Sequence, residues 1–212
     1  MALALPEMDF GPWTSATYAE IAAEVSARRG EGRALVLVDG SSGSGKTTFA
    51  RQLAGALGGG ADVAHTDDVA WNLSPTDWAA QMLTGVVLPW VNGAVVDYRP
   101  PGWLAHGRPG SVTTRATEVL VIEGVGAARH ELAPFASLIV WVQTPPGVGR
   151  ERILVRDIGV DGETPEEVGA FFDSWAQAEV PFHLVERPWE RADLIVNGQS
   201  GAPDGAVEVV WR

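Results

Sequence analysis

Apolar residues along this chain fall into short, nearly unbroken runs at Ala34–Val38, Ala61–His65, Glu118–Glu123, Leu138–Val142 and Asp193–Val196, with a last one at Ala206–Trp211. Runs of that length without alternation are what strands covered on both faces require. Helical patterns lie between them. Tyr18, Ile21, Ala22 and Val25 recur at helical spacing and predict a helix over Thr14–Arg29, stopped by Gly30. A second helix runs over Lys46–Leu57 and ends at Gly58–Gly60. Ser74-Pro75-Thr76-Asp77 has the form of a capping box with proline at the first helical position, predicting a helix of about ten residues or more. Val148–Asp157 is helical in pattern, and Thr164-Pro165-Glu166-Glu167 opens another helix. Ala94–Tyr98 predicts a further short strand, and the proline- and glycine-rich Arg99–Ser111 a loop. Strands alternating with helices predict an α/β fold of three layers around a parallel central sheet. No internal repeat or linker divides the chain, so a single domain over residues 1–212 is expected.

One stretch changes this picture from architecture to chemistry. Ala34–Arg51 reads as strand, glycine-rich turn and helix start, and Gly40, Gly45, Lys46 and Thr47 fit the phosphate-binding P-loop pattern G-x-x-x-x-G-K-[ST] over residues 40–47. Glycines let successive N–H groups turn inward toward a phosphate chain, and the helix start adds partial positive charge. The candidate cradle is Gly40, Ser42, Gly43, Ser44, Gly45, Lys46, Thr47 and Thr48. Lys46 would reach the outer phosphates and the Thr47 hydroxyl a Mg²⁺ bridging them. Lys46 is also the only lysine in the sequence, every other basic residue apart from histidine being arginine.

Charge narrows the partners. With a formal net charge of -12, a general nucleic-acid binder is excluded, because such binding needs excess basic side chains. Phosphate affinity must come from a local site. There is no cysteine, no basic segment opening an apolar leader and no apolar run long enough to span a bilayer, so a cytoplasmic protein without membrane contacts is expected. Oligomeric state is not encoded in any pattern here.

A P-loop binds nucleotide without choosing the reaction, so nearby acids and arginines must choose it. Asp67 and Asp68 follow the second strand, where ligands bind in open α/β sheets, and either could accept the proton of an attacking hydroxyl while touching a metal. Glu123 ends another buried strand, a position suited to holding Mg²⁺. Arg152 and Arg156 share a helical face, with Arg150 off it, in a segment over residues 148–165 that would serve as a lid stabilising transferred charge. The acceptor region is expected over residues 67–111, with Asp68, Trp71, Asp97, Tyr98, Arg99, His106 and Arg108 as candidate contacts. Trp78, Trp90 and Trp103 also fall in this stretch, each on its own expected in the core.

Together these residues resemble the uridine kinase and phosphoribulokinase group of P-loop kinases, including uridine-kinase-like proteins of high-GC bacteria. The resemblance runs from Ala34 to about Gly198 and rests on GSSGSGKTT, Asp67-Asp68, VLVIEGV, RERILVRD over Arg150–Asp157, and ERADLIV. It implies a three-layer P-loop NTPase fold with a short helical lid, Asp67 as the base, Glu123 as the metal-associated acid, Asp97-Tyr98 near a sugar-binding element, and ATP with Mg²⁺. Val69 and Ala70 replace the aromatic pair that follows the acid in uridine kinases. The expected activity is transfer of a phosphoryl group to a hydroxyl of a small molecule, a nucleoside or nucleoside-like metabolite. A kinase for a secondary metabolite or antibiotic, and a nucleotide-binding regulator without transfer chemistry, are the alternatives.

Overall fold

The computed structural model describes residues 3–6, 8–158, 164–203 and 205–212. Its centre is a seven-stranded sheet, and its elements follow in chain order. Strand β1 (Thr14–Thr17) leads into helix α1 (Tyr18–Arg29), then β2 (Ala34–Asp39), α2 (Lys46–Ala56), β3 (Ala61–His65) and α3 (Thr66–Ala70). Next come α4 (Ala79–Met82), a wide π-turn (Leu83–Val87) and α5 (Leu88–Val91), which together form one helical run. A two-residue strand β4 (Asp97–Tyr98), helix α6 (Pro101–Ala105) and β5 (Val112–Thr113) form a small satellite. The sheet resumes with β6 (Val119–Glu123) and β7 (Leu138–Gln143), followed by α7 (Pro146–Asp157), α8 (Pro165–Glu186), α9 (Pro188–Arg191), β8 (Leu194–Asn197) and β9 (Ala206–Trp211).

The strand order is β1-β9-β8-β7-β2-β6-β3. β3, β6, β2, β7 and β8 run parallel, while β9 and β1 pair antiparallel at one edge. Alternation along each strand divides the core in two. Leu35, Leu37, Leu120, Ile122 and Trp141 pack with Trp78, Met82, Trp90 and Val180 on one face. Val36, Val38, Val121, Val140 and Val196 pack with Ile21, Val25, Phe49 and Leu53 from α1 and α2 on the other. This is the three-layer α/β architecture that the apolar runs predict.

The structure corrects the sequence reading at several elements. Residues 14–17 are strand rather than helix: they pair Thr14↔Val209 to Thr17↔Ala206, and Thr17 then caps α1 in a reciprocal box with Glu20. Ser74 does not cap a helix. Asp77 N–H donates to Ser74 O and Trp78 Nε1 donates to Pro75 O, so residues 74–78 form a turn that buries Trp78, and the helical run begins only at Ala79. Arg99–Ser111 contains the helix α6. The capping box at Thr164 and Glu167 is present as expected.

Register decides what meets at the carboxyl edge of the sheet. Val38 and His65 both pair with Glu123, so the end of β2, the end of β3 and the end of β6 lie side by side. Asp39, the last residue of β2, is fully enclosed there and accepts from the backbone N–H groups of Gly40, Gly126 and Ala128. It thereby fixes the entry to the loop that follows.

Candidate active site

The loop between β2 and α2 closes on itself by a bond from Ser44 N–H to Ser41 O. Gly45 precedes α2 in a left-handed conformation and offers no side-chain cap. The first N–H groups of α2 have no partners within the helix, which is the arrangement that receives an anion. Lys46 is largely buried, and its ammonium donates to Ser41 O at 2.9 Å. Helix α7 lies directly on this loop: Gly43 has φ +74°, and a Cβ there would meet Gly149 O at 2.2 Å. No side chain fits between them.

A cavity of 690 Å³ opens in front of the loop. One wall is Ser42, Gly43, Gly45, Lys46, Thr47 and Thr48, with Arg51 beside them. Gly40 and Ser44 lie behind the wall, enclosed by the fold. Asp67 and Trp71, one helical turn apart, form part of the opposite wall, and Glu123 sits on the floor. Arg152 and Arg156 enter from α7. Arg152 reaches over the loop, donating to Gly198 O at 2.9 Å with its other nitrogen 3.4 Å from Gly43 O and Ser44 O. Arg156 is held by Asp157 at 2.5 Å, and Arg150 turns away toward Asp173. The lid expected over residues 148–165 extends through 159–163, which lie outside the described residues.

Charge at the floor is compact. Glu123 Oε1 lies 2.5 Å from His65 Nδ1 and accepts from the Thr47 hydroxyl at 3.0 Å. Burial raises the Glu123 pKa, but the His65 hydrogen bond and the Lys46 charge outweigh it and hold the carboxylate below its ordinary value. The same bond raises His65. Asp67 is reached by solvent from the cavity yet enclosed by protein on its other sides, and this desolvation pushes its pKa up, with Lys46 opposing. Adjacent carboxylates are thus driven in opposite directions, as in sites that separate a base from a charge-holding acid.

Of the candidate acceptor residues, Trp71 alone lines the cavity. Asp68 is bound to Arg108 at 2.9 Å, and Arg108 lies over the rings of Trp71 and Trp103. Trp103 Nε1 donates to Asp68 O at 2.7 Å. His106 meets the Trp71 ring edge-on, the Ser111 hydroxyl donates to Asp97, and Arg99 donates to Arg108 O. The Tyr98 ring packs so closely on Gly85 that a Cβ there would fall within 2.6 Å of it. These residues form a brace behind Asp67 and Trp71. Trp78 and Trp90 are core residues, as expected.

Sequence reasoning missed the contribution of α8. Phe171, Phe172 and Trp175 line the cavity. Glu179, one turn further on and 5% exposed, accepts from Ser42 N–H at 3.0 Å, from the Ser42 hydroxyl at 2.5 Å and from Trp175 Nε1 at 2.9 Å. His183, fully buried, places Nε2 3.2 Å from Asp39 Oδ1 and Nδ1 3.9 Å from Glu179 Oε1. The signal was available: Trp175, Glu179 and His183 recur every four residues, placing polar groups on the buried stripe of a helix.

A second hollow of 590 Å³, at the opposite end of the strands beside Arg33, Trp90 and Phe135, holds no comparable set of groups. Arg33 is bonded to Trp90 O, Gly93 O and Ala94 O. No helix among the described residues is long and apolar enough to cross a membrane.

The sheet order and the glycine loop between β2 and α2 define a P-loop NTPase-like fold. The solved structures that share this fold include three. One is a protein assigned provisionally as a fructose transport system kinase, from Silicibacter sp. TM1040, at 19% identity over 84% of this chain and 95% of that chain, TM-score 0.58. Another is described as a possible uridine kinase from Bacillus stearothermophilus, at 18% identity over 84% and 96%, TM-score 0.50. The third, the YGR205w protein, has 14% identity over 86% and 94%, TM-score 0.51. At these identities the likeness is one of fold, and it agrees at that level with the resemblance in the sequence. No protein-family model matches the chain.

Proposed function

We infer that the protein is an ATP- and Mg²⁺-dependent small-molecule kinase that phosphorylates a hydroxyl of a nucleoside or nucleoside-like metabolite. The observation that carries the reading is the meeting of Lys46, Asp67, Glu123, Arg152 and Arg156 on the walls of one cavity. Two of the structural neighbours bear kinase names, which supports the same class.

The residues fit a magnesium ion by the nature of their donors. Thr47 and Glu123 offer a hydroxyl and a carboxylate 3.0 Å apart, with Asp67 on the same cavity, and Mg²⁺ takes one or two such ligands together with phosphate oxygens and water. When bound, the ion supplies charge neutralisation along the outer phosphates.

The chain's own groups account for the rest. N–H groups of Gly43 and of Gly45–Thr48, together with the Lys46 ammonium, bind the phosphates, for which Lys46 gives up its bond to Ser41 O. Arg152 and Arg156 oppose the charge that spreads over the transferring group. Asp67 orients the acceptor hydroxyl and takes its proton. The acceptor oxygen forms a new bond to the γ-phosphorus while the bond to the β–γ bridging oxygen breaks, and that electron pair leaves with ADP. Asp67 is preferred to Asp68 for this role because Asp68 is paired with Arg108 and does not line the cavity.

The test is direct: purified protein with ATP and Mg²⁺ is presented with a panel of alcohols and nucleosides, and phosphomonoester is followed by ³¹P NMR. Acceptor-dependent product supports the reading. ATP binding without product from any acceptor would leave the protein a nucleotide-binding regulator.

A further inference from the structure

The wall facing the phosphate loop is apolar in an unusual way for a site that must hold a hydroxylated molecule. Beyond Asp67 and Asn72, the described residues that build it include Trp71, Leu73 and Val125 on one side and Phe171, Phe172 and Trp175 on the other. The polar atoms that could have turned toward a polyol are engaged elsewhere. Trp175 directs its single N–H to Glu179, leaving the indole face to the cavity. Arg108 is held by Asp68 and covers the outer face of Trp71. Both oxygens of Asp157 are bonded to Arg156. Among the described residues, Asp67, Asn72 and the single N–H of Trp71 remain as the polar groups of side chains on that wall. A sugar-like acceptor buries several hydroxyls at once, and each one left without a partner in such a pocket costs binding. A flat ring, by contrast, gains area against aromatic faces at little orientational cost.

We propose that the acceptor is recognised by a flat aromatic or heteroaromatic ring held against Trp71, Phe172 and Trp175, and that only its reacting hydroxyl, aligned by Asp67, contributes a required polar contact. The proposal rests on the kinase reading and narrows it: a nucleoside is accepted through its base, and its ribose diol is dispensable. The α8 aromatics carry the selectivity. Ser42 and Trp175 share the Glu179 carboxylate, so the ring wall and the phosphate loop are held in fixed relation.

The experiment compares uridine, 2′,3′-dideoxyuridine, tryptophol and fructose as acceptors at saturating ATP and Mg²⁺. Binding of tryptophol to the protein loaded with a non-hydrolysable ATP analogue is measured by calorimetry. The expected result is a kcat/KM for dideoxyuridine and tryptophol within tenfold of uridine, and at least a hundredfold lower value for fructose. Trp175→Ala and Phe172→Ala should each lower kcat/KM for the ring-bearing acceptors tenfold to a hundredfold, with unchanged affinity for ATP in the Phe172 variant, whose ring has no bond to the phosphate loop. Phe171, 66% exposed, gives a variant that does not threaten folding: Phe171→Ser should produce a smaller loss of the same kind. A hundredfold loss on removing the ribose diol, or fructose turned over as well as uridine, overturns the proposal and leaves the kinase reading intact. Tryptophol bound but not phosphorylated, with no acceptor giving product, overturns the kinase reading while the ring-binding wall stands. Absence of both binding and turnover removes both.

Discussion

The two walls of the cavity are built by opposite means. The phosphate-facing wall is a single stretch, Ser42–Thr48, whose shape follows from local backbone conformation and from one helix start. The facing wall is assembled from α3 and the turn after it, the loop after β6 and the middle of α8, residues such as Trp71, Val125 and Trp175 that meet only because the sheet and its flanking helices bring them together. Local encoding suits a phosphate chain, which is the same in every nucleotide. Dispersed encoding lets a side chain such as Phe172 change without disturbing the loop on the other wall, whereas Trp175 is tied to that loop through Glu179.

The largest effect that sharpens this contrast should come from Lys46→Ala. Removing the only ammonium from the phosphate wall should lower phosphoryl transfer about a thousandfold for every acceptor alike. Steady-state kinetics on two unrelated acceptors checks it, and a loss confined to one would break the division between walls.

Next in size is the support behind the phosphate wall. Asp39→Ala leaves three backbone N–H groups and His183 without their common partner in a fully buried position. It should cost about 3–5 kcal/mol of stability, read as a lower urea midpoint at unchanged m-value. A change below about 1 kcal/mol would mean that the Asp39–His183 contact does not anchor the loop.

The same group sets an acid dependence. Burial alone would raise the Asp39 pKa, but the His183 hydrogen bond and charge, with the N–H groups of Ala128 and Gly40, bring it below the ordinary 3.8. A folded-state pKa lower than the unfolded one gives stability that is complete above the unfolded value and is lost as pH falls through the folded value. Urea midpoints should therefore drop as pH falls below about 4, and the Asp39→Ala variant should show less of that drop.

The smallest effect is expected on the brace of the acceptor wall. Arg108→Ala removes a partly exposed ion pair and two ring contacts, none of them facing the cavity. Stability should fall by about 1 kcal/mol, with kcat/KM changed less than about threefold. A large loss of acceptor affinity would instead restore Arg108 as a substrate contact.

What the sequence made legible follows the same division. The buried strands and the P-loop were readable because each is a contiguous pattern with a local cause. Thr14–Thr17 was not, since four residues of mixed character become a strand only by pairing with β9 at the far end of the chain. Ser74–Asp77 matched a capping box, but burial of the Trp78 ring set the local conformation instead. Asp67 and Asp68 could not be separated by spacing. In the structure Arg108, forty residues later, pairs with Asp68, while Asp67 lines the cavity. The aromatics of α8 lay outside the region expected to bind acceptor, because no periodicity indicates which cavity a helix stripe will face.

The most direct measurement is single-turnover transfer of labelled γ-phosphoryl from ATP to a ring-bearing alcohol, comparing wild type with Asp67→Asn at saturating acceptor, with ATP affinity measured in parallel. The account predicts a rate lower by about 10²–10⁴-fold with ATP affinity within about threefold of wild type. Unchanged transfer, or a loss of ATP affinity large enough to explain the slower rate, would contradict the placement of Asp67 between the two walls.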